Sequence, residues 1–359
     1  MTGPRIDTLL RVATDQGASD LHLHAGKVPR VRFSGELVSL PFRAMGLHQL
    51  RSMLEEILDD KQRRDLVSAS HVDFAYDLPG VARFRASICH QLDGPSAVFR
   101  VIPRNIPSLA ELGAPAAVAG FARHANGLVL VTGPTGSGKS TTLAALVDGI
   151  NETSGRHIIT IEDPIELVHS HKQGLVTQRE VGTHVTSFAA GLRSALREAP
   201  DVLVVGEMRD YETVSLALAA AEAGVLVLAT LHTGSASKSV DRLLGACPHD
   251  QQDQVREILA TLLRGVVSQR LCPAIGGGRV MACEILLQSL AVSNLIRESK
   301  VHQIDAYLQS GEQASRGTCS LETSLARLVL EQRITREVAL ATANDADAMR
   351  TLLDSEAGR

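Results

Sequence analysis

Tryptophan is absent from this 359-residue chain, and only three tyrosines and seven phenylalanines are present. Sequence-tolerant binding of single-stranded nucleic acid rests on aromatic rings that stack on bases, so that class of function is disfavoured. The core must instead be built from Leu, Val, Ile and Ala. A basic excess is missing as well: 36 Lys and Arg against 40 Asp and Glu give a formal charge of −4. No general positive field exists to hold a phosphate backbone, and no nucleic-acid partner is expected. Cysteine is sparse: Cys89, Cys247, Cys272, Cys283 and Cys319 form an odd set with no CxxC pair. Neither a disulfide framework nor a zinc ribbon is indicated, and a reducing cytoplasm is the simplest setting. No uncharged apolar run reaches ~18 residues, so no membrane span is expected. The start, MTGPRIDTLLRVATDQ, lacks the apolar segment of a signal peptide. The expected place is cytoplasmic, with any membrane role peripheral.

What is present is ordinary globular composition, 44% apolar and 21% charged. At ~100–200 residues per domain the length fits two domains, or three. The first hundred residues read as mixed α and β. Ile6, Leu9, Leu10 and Ala13 fall at helical spacing ahead of Gly17. Leu21, Leu23, Val31 and Phe33 alternate with polar residues, as do Phe74, Tyr76, Phe84, Ala86 and Ile88. Leu47, Leu50, Met53, Leu54, Ile57 and Leu58 predict one amphipathic helix. A proline-bearing stretch (Pro103, Pro107, Pro115) then marks a linker, placed at 103–122. Beyond it, unbroken aliphatic runs at 127–133, 157–161, 202–205 and 225–231 alternate with helical segments. Such runs fit strands buried on both faces of a parallel sheet. The spacing of Val255, Ile258, Leu259, Leu262, Leu263, Val266 and Val267 predicts a further long helix, and the last ~75 residues read as mostly helical, with DSEAGR frayed.

The strongest motif is Gly133-Pro134-Thr135-Gly136-Ser137-Gly138-Lys139-Ser140-Thr141, which satisfies GxxxxGK[ST] between a buried strand and a helix-compatible run. Glycines let such a loop turn its N–H groups onto a phosphate, and the following helix N-terminus adds positive potential. Lys139 is placed to reach the β- and γ-phosphates of ATP, and the Ser140 hydroxyl to ligate Mg²⁺. A glycine-rich turn matching by chance is the plain alternative. Glu207 ends the buried strand Asp201–Val205 plus Gly206, where a carboxylate can hold Mg²⁺ or orient the attacking water. Asp201, at the other end, reads as a cap or a structural acid. Glu162, in Thr160-Ile-Glu162-Asp163-Pro-Ile-Glu166, is a candidate general base, its three acids expected on the active edge of the sheet. His232 ends another strand and is a candidate γ-phosphate sensor. Taken singly, an acidic solvated turn and a satisfied structural histidine remain the alternatives for these two. His22-x-His24 and His169-x-His171 lack a third ligand, and the non-metal reading is favoured.

Together these segments resemble the type II/IV secretion ATPase family, and within it the pilus-retraction ATPases of the PilT type. The resemblance spans nearly the whole chain. Gly17-Ala-Ser-Asp-Leu-His-Leu23 resembles the opening signature, GPTGSGKSTT (133–142) the Walker A element, and TIEDPIE (160–166) the Asp box. LRSALREAPDVLVVGEMRD (192–210) resembles the Walker B region and AGVLVLATLHT (223–233) the His box. Ala291–Glu298 resembles the AIRNLIRE element, followed by the KTHQI-like Lys300–Ile304. Ala199 stands where the family has Asp, and Val292 and Ser293 stand where AIRN has Ile and Arg. The CxxC pair and longer N-terminal region of extension and type II secretion ATPases are missing, which favours the retraction branch.

The resemblance implies an α/β fold, with a PAS-like α+β domain (1–102) before a RecA-like P-loop ATPase domain (123–359) that has a mainly helical end. It implies a homohexameric ring with ATP between the two domains, and arginines of the N-terminal domain approaching the γ-phosphate. Arg83, Arg85 and Arg100 are the candidates, with a solvated strand arginine as the alternative for each. Such a motor would use ATP and Mg²⁺ to power type IV pilus retraction at the inner membrane face. Its partners would be an inner-membrane pilus platform protein and a second pilus ATPase. An accessory retraction ATPase, a secretion-system assembly ATPase and, more distantly, a nucleic-acid translocase or a non-enzymatic nucleotide-binding scaffold are the rival readings.

Overall fold

The computed structural model describes residues 5–33, 35–102, 105–310 and 316–357. Pro103 of the expected linker lies outside them, as do the first four residues and the final Gly358 and Arg359. The described residues form two compact units. One lies within 1–105 and includes the later segment Pro164–Val168; the other comprises 106–163 and 169 onward.

In the first unit, α1 (Ile6–Asp15) buries Ile6, Leu9, Leu10 and Ala13 and stops before Gly17, whose φ of +73° suits a residue without Cβ. It is followed by β1 (Asp20–His24), β2 (Arg30–Phe33) and β3 (Glu36–Ser39). Then come α2 (Leu47–Glu55), α3 (Asp60–Ala69), β4 (His71–Leu78), β5 (Ala82–Gln91) and β6 (Gly94–Ile102). The six strands pair antiparallel in the order β3-β2-β1-β6-β5-β4. On β5, Phe84, Ala86 and Ile88 enter the core, so Arg83 and Arg85 stand on the opposite face. The helix expected over 47–58 is present but ends at Glu55. Asp59 caps a new one, accepting from Gln62 N–H at 2.7 Å while Gln62 Oε1 accepts from Asp59 N–H at 3.0 Å. Leu58 stays buried in the turn between them.

The second unit opens with α4 (Ala116–Gly120) and a 3₁₀ turn (Phe121–Arg123), so Val118 and Phe121 of the segment placed in the linker are core residues. It continues through β7 (Gly127–Thr132), α5 (Lys139–Thr153), β8 (His157–Glu162), β9 (Leu175–Glu180), α6 (Phe188–Ala195), β10 (Val202–Val205), α7 (Tyr211–Glu222), β11 (Leu226–Leu231) and α8 (Ala236–Gly245). After α9 (Gln252–Leu262) come β12 (Leu263–Pro273) and β13 (Arg279–Leu287), then α10 (Leu290–Arg297), α11 (Ile304–Gln309), α12 (Leu321–Leu330), α13 (Arg336–Thr342) and α14 (Ala346–Ala357). Within DSEAGR, the stretch expected to fray, 354–357 are therefore helical. The sheet order is β13-β12-β7-β11-β10-β8-β9, parallel except for β13. The four aliphatic runs are its central strands, buried throughout except at His157 and Glu162, the half-buried ends of β8. The α/β class read from the sequence is thus the class observed.

The long helix expected over 255–267 ends at Leu262, and Val266 and Val267 lie in β12. From Leu263 the backbone pairs with β7, and from Gly265 with β13 as well. A Cβ at Gly265 would lie 2.7 Å from Leu286 O and against the Phe121 ring, so only glycine fits there. Among the described residues no helix is long and apolar enough to cross a membrane.

Candidate active site

Parallel strands deliver their C-terminal ends to one edge of a sheet, and the crevice there is where open α/β folds bind ligands. The order β7-β11-β10-β8 places four such ends side by side. They carry the loop 133–138, then His232, Glu207 and Glu162.

The loop has the shape its composition predicts. Gly133, Gly136 and Gly138 take φ of +143°, +79° and +87°. At Gly133 a Cβ would lie 2.5 Å from Ser137 Oγ, so no larger residue fits. Lys139 opens α5 and is 8% exposed. Its Nζ donates to the carbonyls of Gly133 at 2.9 Å and Pro134 at 3.1 Å, so the ammonium is folded over the loop. Ser140 is exposed in the first turn of α5.

Glu207, His232 and Lys139 form one chain of contacts. Glu207 Oε2 is 2.7 Å from Arg209 Nη2 and 3.4 Å from His232 Nε2. His232 Nδ1 is in turn 3.4 Å from Lys139 Nζ. Burial pushes the Glu207 carboxyl up, but the Arg209 hydrogen bond and the charges of His232 and Arg209 outweigh it and hold it below the usual carboxylate range. The carboxylate is therefore ionised at neutral pH. The turn that carries it is tied to β11, because Met208 N–H donates to Thr230 O at 3.2 Å and Thr230 Oγ1 donates to Gly206 O. Glu162 is held by Thr160 Oγ1 at 2.6 Å and Gln178 Nε2 at 3.0 Å. Gly206 packs against its backbone, where a Cβ would stand 3.3 Å from Glu162 Cα. Asp201 is structural: its Oδ2 accepts from His157 N–H at 2.8 Å.

The segment 160–166 is divided between the units: Glu162 and Asp163 belong to the second, and Glu166, within Pro164–Val168, to the first. There Glu166 lies 3.6 Å from Arg85 Nη1, and Arg83 Nε donates to Ile165 O at 3.2 Å. Arg100, cross-strand from Arg85, is bound to Asp20 Oδ1 at 2.9 Å. Among the described residues no group of three or more His, Cys, Asp and Glu is placed to hold a metal ion, the two HxH pairs included.

Two residues of this site escaped the sequence reading. Arg209 carried a local signal, a cation two positions beyond Glu207. Gln269 carries none, because the helical spacing of 255–267 hides the start of the strand it lies on. Its Nε2 donates to Ser137 O at 2.6 Å from β12, the neighbour of β7.

A family model described as type II/IV secretion system protein matches residues 3–352. The chain belongs to this family. Among its relatives, the "Type IV pilus retractation ATPase PilT" of Pseudomonas aeruginosa is 47% identical over 332 residues, 92% of this chain and 96% of that protein. A "Twitching motility protein" of Neisseria gonorrhoeae is 46% identical over 343 residues, 95% of this chain and 91% of that one. The crystal structure of the pilus retraction motor PilT with bound ADP matches at a TM-score of 0.89 and 42% identity, covering 98% of this chain and all of that one. For a secretion ATPase of this family, the α/β architecture and the glycine-rich loop described above are the expected features.

Proposed function

We propose that this chain is an ATP-hydrolysing motor that powers type IV pilus retraction. The observation that carries the reading is the contact chain Arg209–Glu207–His232–Lys139, set beside a complete phosphate-binding loop. The likeness to retraction ATPases over nearly the full length directs it to the pilus.

The loop N–H groups and the α5 N-terminus bind the phosphates. Lys139 exchanges the Gly133 and Pro134 carbonyls for β- and γ-phosphate oxygens. Oxygen donors, one a hydroxyl and one an ionised carboxylate, suit Mg²⁺, so Ser140 and Glu207 would hold it. When bound, the ion would supply positive charge against the negative charge developing on the phosphates. Glu162, fixed by two hydrogen bonds, orients and polarises the attacking water. His232 touches both Lys139 and Glu207, so a γ-phosphate on Lys139 alters its contacts and reports to the strand that carries Glu207. Arg83, Arg85 and Arg100 of a ring neighbour supply positive charge to the transition state. The working unit is a homohexamer, each chain divided into an N-terminal domain at 1–102, a connecting segment at 103–122 that packs Val118 and Phe121 on the second unit, and an ATPase domain at 123–359. It sits peripherally at the inner membrane and acts on a pilus platform protein, alongside a second pilus ATPase.

A second reading, an accessory retraction ATPase, is favoured by one detail. Ser293 Oγ donates to Ala260 O at 2.7 Å, so its position presents a hydroxyl bound to α9 where the AIRNLIRE element has a cation. The test is a deletion strain complemented with wild type or Lys139→Ala, with fibre shortening observed directly. Retraction is expected only with wild type. Normal shortening without the protein sinks the primary reading, and shortening that is merely weakened selects the accessory one.

A further inference from the structure

The hairpin of β12 and β13 contacts the nucleotide loop at its entry, its middle and its end. Ser268 Oγ is 2.7 Å from Thr132 Oγ1, the residue before Gly133. Gln269 Nε2 donates to Ser137 O at 2.6 Å. The same nitrogen lies 3.1 Å from where a Cβ on Gly138 would stand, and the Gln269 carbonyl abuts the corresponding point on Gly133. Gln269 is fully buried, and among the described residues its Oε1 has no hydrogen-bond partner. Turning the amide over would aim Oε1 at the Ser137 carbonyl, oxygen against oxygen, so the orientation is forced by the contact. A buried acceptor left unsatisfied is costly, and a core strand position is ordinarily filled by an apolar side chain. The strand thus carries a polar side chain whose one hydrogen bond is to the loop.

We propose that Gln269 is a positioning residue for nucleotide binding: its amide fixes the Ser137 peptide so that the loop keeps the curvature that presents its N–H groups to phosphate. This rests on reading the loop as an ATP site. Gln269 touches the loop and not the reacting atoms, so it sets the grip on nucleotide in ground state and transition state alike. Its loss raises KM and leaves kcat nearly unchanged.

The test uses the full-length protein and Gln269→Met, which keeps length and volume without the donor; Gln269→Glu, which keeps the shape and replaces the donor by an acceptor, is the second variant. ADP affinity with Mg²⁺, steady-state ATP turnover and the urea midpoint without nucleotide are measured on each. The expected result is about a tenfold loss of ADP affinity and a matching rise in KM for Gln269→Met. Its kcat should stay within about twofold and its nucleotide-free midpoint should not move. Gln269→Glu should lose more affinity than Gln269→Met. Unchanged affinity overturns the proposal. So does a fall in the Gln269→Met midpoint, or a failure of Gln269→Met to fold, because the contact would then be a determinant of the fold. Absence of ADP binding by wild type is a separate result and refutes the ATP-site reading itself.

Discussion

Glu284 gives the sharpest energetic test of the second unit. It sits on β13, 5% exposed, directly across from Ser268, and its Oε1 accepts from Ala236 N–H at 2.6 Å. Ala236 opens α8, just after the turn that carries His232. Burial, with the charges of Asp305 on α11 and Glu322 on α12, pushes the carboxyl up from 4.5 to about 7, against the opposing pull of the Ala236 N–H and Arg270. The sign follows from proton counting. Between pH 4.5 and about 7 the folded chain keeps a proton that the unfolded chain has released, so stability falls as pH rises through that window and is level above it. At about 1.4 kcal/mol per pH unit, the ionised form costs about 3 kcal/mol in the folded state. Glu284→Gln keeps the acceptor for Ala236 and removes the charge. It should be more stable than wild type by about 1–3 kcal/mol at pH ~8 and nearly equal to it at pH ~5. Urea unfolding at the two pH values, with hydrogen exchange at Ala236 to localise the gain, reads this directly. A variant less stable than wild type at the higher pH, or a difference independent of pH, refutes the reasoning.

Glu207→Gln keeps the size of the side chain and loses the charge. ATP turnover should fall by about 10²–10⁴-fold while ADP binding by equilibrium titration is kept; unchanged turnover would remove Glu207 from the mechanism. Ala199 precedes Pro200 with φ of +50°, a left-handed conformation that costs a Cβ-bearing residue about 1–2 kcal/mol. Ala199→Gly should therefore raise stability by about 0.5–1 kcal/mol after the greater freedom of glycine in the unfolded chain is counted, and a lower urea midpoint would show that the strain is not there.

The parts of the fold legible in the sequence are those where local and tertiary demands agree. The runs ending in Val131, Ile161, Val205 and Leu231 are aliphatic without alternation because helices cover both faces of the sheet, so both sides of each strand are removed from water. The loop 133–138 was legible because each glycine answers a backbone requirement, a positive φ or a close approach. The helix-to-strand change at 262–263 was not. Val255 to Val267 keep helical spacing across it, and from Leu263 the chain pairs instead with β7, a strand more than 130 positions earlier by sequence number.

The same distinction explains why the site was only partly visible. Lys139, Glu162, Glu207 and His232 each close a buried strand or open a helix, so each announces itself by what precedes it. Glu166 looks alike in sequence, yet it follows Pro164 and pairs with Arg85 within the first unit. Gln269 looks like nothing in particular, since its partner Ser137 lies 132 residues away. A motif records the residues that meet the ligand. The residues that shape the motif from a neighbouring strand are set by sheet order, and sheet order is fixed by the whole chain. For this reason the β12–β13 hairpin, which binds Thr132 and Ser137 on one side and Ala236 on the other, joins the phosphate loop to the turn carrying His232 without either segment's own sequence disclosing the connection.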